Sequence, residues 1–217
     1  MKFKVFYKPT FHIIVEDVFT NEENQKILEE AISLEDKFVN AMVGAEESFI
    51  NNELRTNLSV YYDVIYNGRR NESPLLKKID ELTLNTDLIG LMSSSIHPMT
   101  SYTYTNHHES QVSRYGEGEH YDWHIDSRNS QERLVTFVYW FNTEPKKYSG
   151  GELQLSNAPS VGGKIIECDD NEIKTIIPEN NTMIIFGSHK SHRVLPTKSP
   201  KTFKDGRFSV NVWVGIQ

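Results

Sequence analysis

The stretch Tyr115-Gly-Glu-Gly-Glu-His120-Tyr-Asp122-Trp-His124-Ile-Asp126 concentrates side chains that bind metals or move protons. Read as a β-strand it alternates, so His120, Asp122, His124 and Asp126 share one face. Four ligand-type groups on an inward face need a charged companion, and imidazole with carboxylate suits Fe(II), Mn(II) or Zn(II). A solvated strand face accounts for the same pattern without any metal. The two overlapping His-x-Asp pairs, His120/Asp122 and His124/Asp126, leave the register open. A two-histidine, one-carboxylate set would keep three coordination positions free for reactants. Its third member has two sources in Phe186-Gly-Ser-His189-Lys-Ser-His192-Arg-Val-Leu-Pro196. His-Glu-x-x-His and cysteine–histidine zinc patterns are both missing, which removes the common metallohydrolase readings.

A second chemical signal lies in Arg207-Phe-Ser209-Val-Asn211-Val-Trp213-Val. One face of that strand is Phe, Val, Val, Val; the other is Arg, Ser, Asn, Trp. The polar face either meets solvent or lines the mouth of a barrel, where Arg207 would clamp a carboxylate through paired hydrogen bonds.

The elements that must hold these groups are legible in outline. Phe3, Val5 and Tyr7 share a strand face, and Phe11–Val15 gives a second short strand. Thr20 and Glu23 form a capping box opening a helix to about Leu34, whose acids from Glu22 to Glu30 read as a solvated face. Residues 37–72 are weakly patterned apart from a strand at Leu58–Tyr62. Ser73-Pro74 opens a second helix through Leu75, Leu76, Ile79 and Leu82, which Asn85 interrupts before Leu88–Met92. From residue 98 on, short strands are expected at 100–105, 110–116, 120–126, 133–141, 151–155, 163–168, 172–177, 182–186, 192–195 and 207–215. They are separated by glycine pairs and Asp/Asn/Pro turns. That pattern means a sandwich or barrel rather than repeated βαβ units.

The 217 residues suit one domain, with 1–97 as strands and supporting helices and 98–217 as the β-core. A formal net charge of −7 argues against an extended nucleic-acid surface. The single cysteine, Cys168, excludes an internal disulfide framework and reads as an ordinary reduced thiol. No apolar run is long enough for a membrane span, and Met1–Tyr7 lacks the core of a signal peptide, so a cytoplasmic protein is expected.

Taken in order, these motifs resemble the Fe(II)/2-oxoglutarate-dependent oxygenases, in their prolyl 4-hydroxylase-like branch. Tyr115-x-x-Gly118-x-x-Tyr121-x-x-His124-x-Asp126 is similar to the approach to that family's metal motif, which sets the register on His124/Asp126. Arg133-Leu-Val-Thr136-Phe-Val-Tyr-Trp-Phe-Asn142 resembles the next strand, and Gly150-Gly151-Glu152-Leu153 the Gly-Gly-Glu hairpin. Pro178…Phe186…His192-Arg-Val194-x-Pro196 resembles the segment bearing the distal histidine, and Arg207 the cosubstrate arginine. The likeness covers about 110–215, more weakly 11–34.

The resemblance implies a mainly β fold with N-terminal helices and a double-stranded β-helix (jelly-roll, cupin-like) core. It also implies Fe(II) on His124, Asp126 and His192, and 2-oxoglutarate held by Arg207 with Tyr115, Tyr121 and Asn211. O2 is the co-oxidant, and ascorbate an optional reductant. The reaction expected is hydroxylation of an unactivated C–H bond with release of succinate and CO2. Asp126 occupies the place that chloride takes in halogenating relatives, which favours hydroxylation. The substrate is a peptide, such as one presenting proline, or a small molecule, covered by residues 37–72 and the hairpin after Asn142. The rivals are a cupin-like metalloenzyme that does not use 2-oxoglutarate and a non-catalytic binding module on the same fold.

Two departures stand out. His192 and Arg207 are further apart than usual, and Lys198–Lys204 reads as a loop insertion. Trp140 stands where relatives often carry a tyrosine. Arg55 reads as a surface arginine, His107-His108 as an exposed turn, and His12, His97 and His189 carry no role.

Overall fold

The computed structural model describes residues 1–44, 48–93, 108–127, 133–166 and 168–215. In chain order these form β1 (Lys2–Phe6), β2 (His12–Glu16), α1 (Asn21–Ser33), β3 (Val39–Asn40), β4 (Leu58–Tyr61), α2 (Tyr62–Tyr66), α3 (Pro74–Thr83) and α4 (Thr86–Ser93). There follow β5 (His108–Tyr115), β6 (Tyr121–His124), β7 (Val135–Phe141), β8 (Ser149–Gly150), β9 (Leu153–Ser156) and β10 (Ser160–Val161). The last are β11 (Lys164–Ile165), β12 (Ile173–Ile176), β13 (Thr182–Gly187), β14 (Ser191–Val194), β15 (Thr197–Lys198) and β16 (Arg207–Val214). The expected strand at 100–105, His97 and His107 lie outside the described residues.

Two antiparallel sheets face each other. The larger runs β1-β2-β13-β7-β16-β5-β4-β3 and the smaller β12-β9-β14-β6. Alternation along β7 and β16 decides what each face of the large sheet meets. Phe137, Tyr139, Phe141, Phe208, Val210 and Val212 point outward onto Ile27, Leu28, Leu75, Leu76 and Ile79 of α1 and α3. Val138 and Trp140 point inward, packing with Leu153, Leu155 and Val194 of the small sheet. This is the double-stranded β-helix that the resemblance implies. The polar face of β16 therefore meets the inside of the sandwich, not solvent.

The helices start where their caps dictate. The Glu23 amide donates to Thr20 Oγ1 at 3.2 Å while the Thr20 amide donates to the Glu23 carboxylate at 2.9 Å. Ser73 Oγ accepts from the Leu76 amide at 3.0 Å. Asn85 Oδ1 accepts from the Leu88 amide, so the residue that breaks one helix caps the next.

Three local expectations change. Glu30 is buried, not solvated: it accepts from the Tyr66 hydroxyl at 2.5 Å and from the Leu75 amide at 3.0 Å, tying α1 to the first turn of α3. Burial holds its carboxyl above the usual range, partly offset by those donors. Tyr62 begins α2 instead of extending the strand before it. His108 opens β5, not a turn.

Candidate active site

His124 and His192 are cross-strand partners on β6 and β14, so sheet pairing alone sets the two imidazoles side by side, with ring centroids 4.1 Å apart. Asp126 reaches them differently. β6 ends at His124, so the expected strand through residue 126 is two residues too long. The chain turns instead, and the Asp126 amide donates to Ser188 O at 2.9 Å. Thr136 Oγ1 then donates to Asp126 Oδ2 at 2.8 Å, fixing the carboxylate's angle. The result is His192 Nε2 at 3.3 Å from Asp126 Oδ2 and His124 Nε2 at 3.8 Å from Oδ1.

These three residues are the group of histidine and acid side chains, among the described residues, whose ligand atoms converge, within 4.8 Å of one another. The backbone selects the tautomer. His124 Nδ1 sits 2.7 Å from Asp122 O and His192 Nδ1 3.0 Å from Lys190 O, so both Nδ1 atoms carry the proton and both Nε2 lone pairs face the common centre. His192 Nε2 is buried with no hydrogen-bond partner, as a metal ligand awaiting its metal would be. Burial keeps the His124 imidazole neutral, well below its usual range, and its neighbour His192 adds to that. Two imidazole nitrogens and one carboxylate are a donor set that fits Fe(II).

A stack supports the set from the cavity side. Tyr121 lies on His124 with centroids 3.5 Å apart, and the Arg55 guanidinium covers the other face of that phenol at 4.4 Å. Arg55 is therefore not a surface arginine. It is only 6% exposed and donates to Asn57 Oδ1, Met42 O and Gln111 Oε1.

On the deeper side, Arg207 is fully buried at the start of β16. Its Nε donates to Gly151 O at 2.8 Å, Nη1 to Ser209 Oγ at 3.3 Å, and Nη2 to nothing. Its flat face rests on Tyr115 at 4.8 Å. The Gly150-Gly151 pair lets the β8 hairpin come this close. Both residues take positive φ (72° and 67°), and a Cβ on Gly150 would meet Pro196 O at 2.4 Å.

A cavity of about 630 Å³ opens from His124 and Asp126 to the surface. Val39, Met42, Tyr61 and Val64 wall one side, as expected for the 37–72 segment, and Asn211 and Trp213 lie at its base. The opposite wall is not the hairpin after Asn142. It is β10–β11, through Ser160, Gly162 and Gly163, because Trp123 bridges to Gly163 along the free edge of β6.

The remaining expected residues separate by position. His120 is drawn away to Thr56, and His189 is exposed beside Gly187. Tyr115 lies at the arginine end and Tyr121 at the histidine end. Sequence reasoning missed Tyr148 and Thr197, both buried beside the Arg207 end. Their only signal was proximity in sequence to the Gly-Gly hairpin and to the distal histidine segment.

The fold and this donor set match those of iron- and 2-oxoglutarate-dependent oxygenases. Residues 110–215 match the family model of the 2OG-Fe(II) oxygenase superfamily. The chain is 28% identical over 225 residues to an uncharacterized PKHD-type hydroxylase of Synechocystis, spanning 95% of this chain and 68% of that protein. The fold is shared with a prolyl hydroxylase from Trichoplax adhaerens, solved in complex with a hypoxia inducible factor oxygen degradation domain peptide. The TM-score is 0.67 at 19% identity, covering 94% of this chain and 83% of that one. A Pseudomonas putida prolyl-4-hydroxylase gives 0.63 at 16% identity over 95% and 92%. These matches support a 2OG-Fe(II) oxygenase, and the fold is shared with prolyl hydroxylases. The same matches support a dioxygenase of the hydroxylase kind, and the His-Asp-His set fits the Fe(II) that this family uses with 2-oxoglutarate and O2. Among the described residues no helix is long and apolar enough to cross a membrane.

Proposed function

We propose that His124, Asp126 and His192 hold the Fe(II), that Arg207 pairs with the far carboxylate of 2-oxoglutarate, and that the chain hydroxylates a peptidyl proline entering through the 630 Å³ cavity. The observation that carries this reading is the pairing of two Nε2 atoms and one carboxylate with a buried arginine whose outer nitrogen is free. A cupin-like enzyme that does not use 2-oxoglutarate has no use for that arginine, and a silent binding module has no use for the three converging ligands. Bound there, Fe(II) with O2 and 2-oxoglutarate supplies the oxidising power, one oxygen atom going to the substrate and one to the succinate formed as CO2 leaves.

The chain's own residues do the rest. Thr136 and Ser188 hold Asp126 in place, the Asp122 and Lys190 carbonyls orient the imidazoles, and Tyr115 and Tyr121 keep water from the buried side. Tyr121 and Asn211 face the cavity, where they meet the near end of the cosubstrate or the substrate. We also propose that the 217 residues act as one unit, because β2 pairs with β13 and β4 with β5, so N-terminal strands complete the sheet that carries Arg207. A peptide substrate is supported by the likeness to prolyl hydroxylases and by a cavity walled by exposed apolar side chains.

Incubation with Fe(II), 2-oxoglutarate, oxygen-18 gas and a panel of proline peptides and small metabolites tests the reading by mass spectrometry. Hydroxylated proline carrying one oxygen-18, with matching succinate, is expected. A hydroxylated metabolite without any peptide product would remove the proline assignment, and turnover without succinate would remove the mechanism.

A further inference from the structure

Gln111 on β5 has a register partner on each side, Tyr61 on β4 and Asn211 on β16. All three line the cavity that opens from His124 and Asp126. The middle residue is held unlike its neighbour on β4: Gln111 is only 2% exposed, Tyr61 36%. Arg55 Nη2 donates to Gln111 Oε1 at 2.9 Å. A guanidinium has donors and no acceptor, so the atom facing it is the carboxamide oxygen, and the amide cannot be turned over. Arg55 cannot swing away either. Its Nε donates to Asn57 Oδ1 at 2.7 Å and its Nη1 to Met42 O at 3.3 Å.

With its oxygen committed to Arg55, Gln111 has its NH2 group left for the cavity it lines. A buried donor needs an acceptor, and one fixed on the floor of a substrate cavity selects for an acceptor in whatever enters. Proline has no N–H, so the backbone at a target proline offers carbonyl oxygens without a matching donor.

We infer that Gln111 reads the substrate's backbone: its NH2 donates to a carbonyl oxygen flanking the target residue, and Arg55 keeps that donor aimed. The inference rests on the peptide reading proposed above and deepens it by naming the contact. It also gives the enclosed arginine a task, since a cation satisfied on every side is what holds the amide to one orientation.

Steady-state kinetics with a proline peptide, Fe(II) and 2-oxoglutarate test the contact. Gln111→Glu keeps the bond to Arg55 but puts an oxygen where the NH2 was, and Gln111→Met removes both groups. Each should raise KM for the peptide about tenfold and leave kcat within about twofold, because the bond is made equally to the waiting and the reacting substrate. Calorimetric affinity for 2-oxoglutarate should stay as in the parent, which also reports that the variants fold. The peptide is then remade with a thioamide, a weaker acceptor, at each carbonyl flanking the proline. One replacement should raise KM in the parent yet add little in Gln111→Met, which marks donor and acceptor as partners. Thioamide losses that simply add to that of Gln111→Met would overturn the inference. Peptide turnover with KM indifferent to both variants would remove the contact alone, whereas a parent that hydroxylates a metabolite and no peptide would remove the peptide reading and the contact together.

Discussion

Arg55 and Arg207 are the same residue type in the same predicament, and the chain treats them oppositely. Both are buried, both lie flat on a tyrosine, at 4.4 Å and 4.8 Å, and they stand at the cavity side and the deep side of the three converging ligands. Arg55 is enclosed by its own chain: Asn57, Met42 O, Gln111 and Ser113 take its protons, all of them neutral acceptors. Arg207 is given two acceptors and left open at Nη2. Burial does not distinguish a framework arginine from a receptor arginine. Accounting for each N–H does, because a satisfied fork stiffens its surroundings while an unsatisfied one waits for a ligand.

The comparison breaks most visibly at Arg207. Arg207→Ala should weaken 2-oxoglutarate binding by about a hundredfold or more, on the basis of two hydrogen bonds to a charged group at roughly 1.5–3 kcal/mol each. Arg207→Lys should recover only part of it, since the charge returns without the fork. Anaerobic calorimetry reads both, and an unaltered affinity in Arg207→Ala would make the two arginines alike.

Arg55→Met should show the opposite split. It strands three buried acceptors and one half-buried carbonyl, so urea unfolding should report about 2–3 kcal/mol lost stability while 2-oxoglutarate affinity moves less than about threefold. A stable variant that cannot bind the cosubstrate would turn Arg55 into a receptor as well.

Between the arginines, Thr136→Val removes the donor that angles Asp126, and Fe(II) affinity should fall about tenfold, with the apoprotein still folded by circular dichroism. The smallest effect calibrates the rest. Ser73→Ala deletes the cap of α3, far from both arginines, and should cost about 1 kcal/mol of stability with neither Fe(II) nor 2-oxoglutarate affinity changed.

These contrasts explain what the sequence could and could not convey. Local patterns offered His124/Asp126 alongside His120/Asp122, His192 alongside His189, and Arg207 on an alternating strand; the ordered family resemblance chose among them. The Thr20 and Ser73 caps were legible without it, since a cap is satisfied within four residues. Arg55 misled because its partners, Gln111 and Ser113, lie on β5, and nothing near residue 55 announces them. Glu30 misled likewise, its donors being Tyr66 and the start of α3. Tyr148 and Thr197 come together only through the pairing of β8 with β15. The end of β6 was misjudged because alternation continues to Asp126 while hydrogen bonding does not. Local chemistry is written locally; burial and long-range partnership are not.

The position of β16 bears on how the molecule comes to exist. That strand follows every other one described here, yet it lies between β7 and β5 in the large sheet. Until it is inserted, β1-β2-β13-β7 and β5-β4-β3 are two unjoined ribbons with open edges. During synthesis the ribosome therefore releases the keystone after the arch. Pairings so distant in sequence form slowly, and exposed edges invite association with other chains in the interval. Arg207 is the first residue of that keystone, so the buried end of the site closes in the same event that joins the sheet. On the assignment proposed for Arg207, a nascent chain carrying His124, Asp126 and His192 without β16 lacks the residue that grips the 2-oxo acid, so the site is completed only when the sheet is.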